Sequence, residues 1–287
     1  MLRQSGHVRW GMAGLFGVGI LVNYLDRVNL SVTAKPLEQT FHLNAAEFGI
    51  LLSAFLWSYT ILQIPVGSLL DKVGVVWVQR IGNVLWTIIT FLSATVSGLG
   101  LLLVLRVLLG VAESPTFSAA SKSTGAWFPR RERGIATAAF DGAAKFSNVV
   151  GVPLLAAVVT WGGWRAAFVF TGVISLIYGV AFWLLYRTPE RALADGKLSA
   201  EEHQYIVDGG GRVGEATAPN QLGQLRYLLT RRQVWGLTIG FAAAGYAFYL
   251  FLTWLPGYLQ TSLGMSVLGS GIYTAVPWIV ATITDFM

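Results

Sequence analysis

The 287-residue chain has no cysteine and only three histidines, at positions 7, 42 and 203. Without cysteine there is no disulfide framework, no thiolate-bound zinc or iron–sulfur cluster and no thiol nucleophile. Three scattered imidazoles are too few for a metal centre, so no metal and no cofactor are expected. Charge is scarce as well: Asp, Glu, Lys and Arg make up 12% of the residues, against roughly 25% in a soluble domain. So few charges cannot cover a surface that faces water.

The chain is instead apolar: 54% of it is hydrophobic and glycine adds 33 residues. Apolar stretches recur at 11–33, 46–70, 78–97, 99–121, 134–159, 165–187, 233–256 and 267–287. Each is close to the roughly 20 residues that a bilayer-crossing helix needs, and none shows the alternation of a membrane barrel. The expected class is all-α and integral to the membrane. Arg3 and Arg9 precede the first stretch as they would in a secretory signal, but Asp26 and Arg27 in its core argue against cleavage.

Basic residues set the orientation. With the N-terminus cytoplasmic, 15 of the 20 Lys and Arg residues fall inside and only Lys35 and Arg165 outside, while Arg27, Arg106 and Lys145 lie within spans. Such a bias follows the positive-inside rule and predicts a multi-pass protein of the cell membrane. It also accounts for the net charge of +6 without a nucleic-acid partner.

Three segments are expected. Residues 1–187 form an N-terminal half of six helices, 188–232 a polar cytoplasmic linker with a short surface helix near 199–207, and 233–287 two helices of a C-terminal half. The last stretch reaches Asp285-Phe286-Met287 with no polar tail, so the sequence reads as stopping inside an eighth helix.

Charges within spans are costly and mark functional candidates. At 1.5 Å per residue, Arg27 lies roughly 24 Å past the start of the outward-running first span, and Arg106 roughly 10 Å below the outer end of the fourth. The two guanidinium groups therefore come to similar depth. Glu113 follows Arg106 by two turns on nearly the same face and looks into the same cavity. Two arginines can clamp a carboxylate by forked hydrogen bonds, while a nearby acid changes protonation as the cavity opens to either side. That combination is what proton-coupled uptake of an organic anion requires.

Plainer roles stand beside these. Arg27 could neutralise Asp26 or Glu113 in a structural pair, and Asp141 and Lys145, four apart, could pair or line the pocket. Ala143, Ser147 and Gly151 read as a helix-packing seam. Trp161, Trp164, Trp254 and Tyr258, near span ends, read as interface anchors. Tyr246 and Tyr249 lie deeper, where their hydroxyls either line the cavity or do not. An enzyme would want a His-based constellation, and no histidine lies within a span.

Gly67-Ser68-Leu69-Leu70-Asp71-Lys72-Val73-Gly74 matches the G-x-x-x-D-[RK]-x-G loop signature of the major facilitator superfamily. NYLDRVNLS at 23–31, LRVLLGVAESPTFSAA at 105–120, WFPRRERGIATA at 127–138, GWRAAFVFTG at 163–172 and YAFYLFLTWLPGYL at 246–259 follow in the family's order. Together they resemble the anion:cation symporter branch, which includes galactonate, glucarate and hexuronate permeases. The resemblance implies a helical bundle of two six-helix halves, transport by alternating access, a sugar-acid cargo, a proton as coupling ion with sodium as the alternative, and a monomer. It implies Arg27, Arg106 and Tyr24 as substrate contacts, Asp26 and Glu113 as proton-coupling groups, and a cytoplasmic gate of Gly67, Asp71, Lys72, Gly74 and Arg133 in which Asp71 latches with Arg133. Val75 and Val76 depart from the basic residues that usually follow the second glycine. The alternatives are the same fold with an aromatic acid, phosphate with sodium, or a drug as cargo.

Overall fold

The computed structural model describes residues 7–212 and 226–285. The helices are α1 (Val8–Val32), α2 (Ala34–Phe41), α3 (Ala45–Val73), α4 (Val75–Ser93), α5 (Leu99–Glu113), α6 (Pro115–Trp127), α7 (Arg133–Leu185), α8 (Pro189–Ala194), α9 (Ala200–Asp208), α10 (Arg232–Thr253), α11 (Leu255–Thr261) and α12 (Val267–Asp285). The chain is an all-helical membrane bundle, and no strand occurs among the described residues.

Local chemistry sets the boundaries. Asn44 caps α3 by accepting from the Glu47 amide at 3.0 Å, while the Glu47 carboxylate accepts from the Asn44 amide at 2.9 Å. This reciprocal pair satisfies two donors that the helix start leaves open. Gly74 alone separates α3 from α4; its φ of 87° is a conformation that glycine takes without a Cβ penalty. Pro115 opens α6 directly after Ser114, so α5 and α6 form one span with a break beside Glu113.

α7 has 53 residues, which would measure about 80 Å if straight, more than twice a bilayer core of about 30 Å. It reverses at Gly163, where φ is 74°, and contacts with α1 reveal the turn. Before the glycine the numbers rise together: Ala143 meets Gly17, Ser147 donates to the Leu21 carbonyl at 2.7 Å, and Gly151 fits against Leu25. Beyond it they run oppositely, with Thr171 bonded to Asn29, Ser175 to Asp26, and Tyr178 against Gly19. The 143/147/151 row is thus a seam on α1, as its spacing predicts. Trp164 corrects an expectation: it is buried between Phe41 and Phe168, because the tight reversal turns it inward, whereas Trp161 stays 87% exposed.

α3 and α5 cross at Gly110. A Cβ there would lie 2.1 Å from the Ser58 hydroxyl and 2.5 Å from the Phe55 carbonyl. The serine can rotate, but the carbonyl is backbone and must move. Gly110→Ala is therefore expected to destabilise the bundle by about 1–3 kcal/mol, read as a lower melting temperature in detergent; an unchanged melting temperature would show that the crossing yields easily.

The linker is docked on the bundle. Arg9 of α1 donates to Glu132 at 2.9 Å and to Glu202 of α9 at 3.0 Å. Tyr205 donates to Glu132 and accepts from Arg131. Burial works against the charged form of Glu132, and the bonds from Tyr205 and Arg9 outweigh it, so this carboxyl sits below its usual range. Ala192, Leu198 and Ile206 pack under these polar contacts with Trp127 and Phe128. The glycine run completes the clasp: Gly209 accepts from the Arg130 amide at 2.9 Å, and Gly210 from Arg133 at 2.7 Å. A Cβ on Gly211 would stand 2.7 Å from the Ile206 carbonyl.

After the linker, α10 to α12 lie against α1, α2 and the first stretch of α7. Phe248 meets Tyr24, Gly257 sits over Ala34, and Gly271 over Ala156. Arg27 reaches this group from the N-terminal helices through Tyr249.

Candidate functional site

Arg27 is the centre of the site. Its Nε donates to Glu113 Oε2 at 3.3 Å and its Nη1 to the Tyr249 hydroxyl at 3.1 Å. Three rings enclose the guanidinium, with centres 4.4 Å away for Tyr59, 4.7 Å for Tyr24 and 5.1 Å for Phe55. Aromatic faces hold a flat cation without removing its hydrogen-bond donors. Residues from α1, α3, α5 and α10 thus meet at one point, and both charged partners are buried.

Arg106 is also buried, 5.7 Å from the Phe168 ring centre, with Asp26 and Glu113 as its acidic neighbours. Asp26 does not face the Arg27 cage. It accepts from Trp86, from Thr90 at 3.1 Å and from Ser175 at 3.2 Å, inside the N-terminal helices. Consecutive residues on a helix point roughly 100° apart, which sends the two neighbours to different partners. Two cations and two acids balance within this space. Arg27 Nη2, Arg106 Nη2 and Glu113 Oε1 are buried and lack a hydrogen-bond partner among the described residues. The site therefore offers donors inside a low-dielectric enclosure, where each is worth more than in water.

Other predicted residues fall elsewhere. Tyr246 is 73% exposed, which corrects its candidacy as a cavity residue beside Tyr249. α10 meets the bundle through a narrow face of Phe248, Tyr249 and Leu252, and Tyr246 lies roughly 110° round the helix from its middle. Asp141 and Lys145 form an ion pair at 3.7 Å, with the Asp141 side chain 56% exposed. In the gate motif, Gly74 makes the α3–α4 turn, and a Cβ on the half-buried Gly67 would meet nothing within 4 Å; Lys72 is exposed. Asp71 pairs with Lys122 at 3.1 Å. Arg133 is not the Asp71 latch expected: it donates to the carbonyls of Phe128, Gly125 and Gly210, because its place at the start of α7 faces the clasp. Among the described residues no group of three His, Asp or Glu that could hold a metal ion comes together.

The sequence pattern of the Major Facilitator Superfamily matches residues 16–287. The chain belongs to this superfamily. This facilitator is 44% identical over 283 residues to the uncharacterized transporter YybO of Bacillus subtilis strain 168, covering 99% of this chain and 64% of the relative. It is 32% identical to the probable L-galactonate transporter of Escherichia coli K12, over 90% of this chain and 56% of that protein. The chain therefore spans somewhat under two-thirds of the length of these relatives. In structure it resembles a bacterial homolog of the human lysosomal transporter Spinster in its inward-facing form, with a TM-score of 0.77 at 19% identity, covering 98% of this chain and 62% of that one.

Several residues of the facilitator's site were not foreseen. Phe55 and Tyr59 are four apart, the spacing of one helix face, and Trp86 and Thr90 share that spacing in α4. Both pairs sit in apolar surroundings where spacing alone does not separate a cage from a core. Glu202, read only as part of a polar linker, closes the clasp with Arg9.

Proposed function

We propose that this chain belongs to a proton-coupled importer of a small organic anion of the sugar-acid class, which works by alternating access as a monomer in the cell membrane with its N-terminus cytoplasmic. The observation that carries the reading is the Arg27–Glu113 pair at 3.3 Å, with Arg106 beside it and donors of both arginines unengaged among the described residues. The names of the galactonate and galactarate/D-glucarate relatives, about a third identical, support the choice of cargo.

The coupling logic follows from the charge balance. Arg27 and Arg106 offset Asp26 and Glu113, so an arriving carboxylate would leave one uncompensated negative charge in a site shielded from water, which is costly. A proton on Glu113 removes that charge and also frees Arg27 Nε for the cargo. Anion and proton are then favoured together, and either alone is disfavoured. Tyr24 and Tyr59 hold the guanidinium in place during the exchange, and Tyr249 joins the site to the helices that follow the linker.

The test is uptake of labelled D-galactonate and D-glucarate into proteoliposomes containing the protein, under an imposed pH gradient. Accumulation is expected to follow the gradient and to collapse on adding a protonophore. Accumulation driven by a sodium gradient and indifferent to the protonophore would overturn the coupling assignment. Efficient uptake of an uncharged or cationic compound in place of the acids would overturn the cargo.

A further inference from the structure

Away from the central site, α4 and the second stretch of α7 leave a groove of about 310 Å³ between them. Its walls include Val84, Ile88, Leu176, Val180 and Leu184, all substantially exposed. Gly179 and Asn83 lie at its floor. The helices after the linker dock on α1, α2 and α7, where Gly271 sits against Val152, Pro153 and Ala156 of its first stretch. The groove therefore lies on a face turned towards lipid.

Its mouth, on the side of the membrane that holds the N-terminus, is cationic. Arg80 Nη2 donates to the Trp183 carbonyl at 2.8 Å, and Arg187 Nη1 reaches the same carbonyl at 3.5 Å while donating to the Tyr186 carbonyl at 2.9 Å. The Arg80 guanidinium is held 5.4 Å from the Trp77 ring centre and 4.8 Å from that of Trp183. Arg187 faces Asp195 at 3.6 Å, but Asp195 already pairs with Arg191 at 3.1 Å. Arg80 Nε is buried and without a hydrogen-bond partner among the described residues. Two guanidinium groups brought to one carbonyl concentrate positive charge at this mouth, which Asp195 offsets only from the Arg187 side. Arg80 sits roughly 7 Å along α4 from its start, near headgroup depth, and the two tryptophans mark the membrane interface.

We propose that this groove binds one anionic phospholipid of the leaflet on the N-terminal side, with its phosphate between Arg80 and Arg187 and an acyl chain along Val84, Ile88, Val180 and Leu184. Charge selects the headgroup and the apolar trough selects a lipid over a free anion. Basic pockets between membrane helices take anionic headgroups for this reason.

The experiment is photo-crosslinking of the full chain in nanodiscs with phosphatidylglycerol that carries a diazirine in its acyl chain, compared with phosphatidylcholine of the same chain. Labelling is expected on α4 and the second stretch of α7, about thirtyfold stronger for phosphatidylglycerol, as two arginines near the surface would give. Arg80→Gln with Arg187→Gln should lower it to the phosphatidylcholine level. Val180→Trp fills the trough while keeping both arginines and should abolish labelling by either lipid, so the proposal stays testable if the double variant fails to fold. Equal labelling by the two lipids, labelling unchanged in Val180→Trp, or displacement by millimolar inorganic phosphate would each overturn it.

Discussion

Under the proposed function, Arg27→Ala is expected to lower sugar-acid affinity by about 100-fold, because truncating one partner of a buried, hydrogen-bonded charge contact with the cargo costs about 2–5 kcal/mol of binding. Titration calorimetry or a thermal-shift titration of the purified protein with galactonate and glucarate measures it. Arg27→Lys is expected to recover only a small part of the loss. An ammonium keeps the charge but not the flat fork that donates to Glu113 and Tyr249 while lying among Tyr24, Phe55 and Tyr59. Loss of fold has to be separated from loss of binding, since the single variant strands Glu113 at zero exposure. The double variant Arg27→Ala with Glu113→Gln removes that stranded charge. It should regain melting temperature and still fail to bind. Affinity within threefold of the parent in the double variant would mean that the cargo does not meet Arg27.

Glu113→Gln separates substrate movement from the pH gradient. The amide is nearly isosteric with the carboxyl and stays permanently neutral, so the site is locked in the charge state assigned to the protonated form. Exchange of cargo across the membrane is expected to continue, while net accumulation driven by a gradient of one pH unit falls by about tenfold, since one coupled proton supplies about 1.4 kcal/mol per pH unit. Parallel assays of counterflow and gradient-driven uptake in proteoliposomes distinguish the two. Wild-type pH dependence in this variant would remove Glu113 from the role and shift attention to Asp26. Asp26 is the less suited group, because Trp86, Thr90 and Ser175 already satisfy its charged form.

The membrane class and most spans were legible because they rest on composition over long windows. Even the reversal near Gly163 shows in the sequence as the gap between the fifth and sixth apolar stretches, although the helix runs almost without interruption through it. The convergence of Arg27, Arg106 and Glu113 was legible too, since depth and helical phase are one-dimensional quantities. What spacing could not convey was choice of partner. Asp26 and Arg27 are adjacent in the chain, yet α4 and α7 claim one while α3, α5 and α10 claim the other. Tyr246 and Tyr249 differ for the same reason: the phase of α10 against α1 decides which points inward, and no local pattern encodes it. Arg133 was expected beside Asp71 by family analogy, but the Gly209–Gly211 turn supplies carbonyls that compete for it. Arg9 and Glu202 meet across 193 positions, a distance at which sequence patterns carry no information about pairing.

That fastened linker changes how the two halves are tied. Because the described linker residues through Arg212 are bonded to the N-terminal helices, any tilt of that half would carry them with it. A probe attached at His203 would therefore report any tilt of the first six helices, and residues inserted before Arg212 would pull the bolt loose.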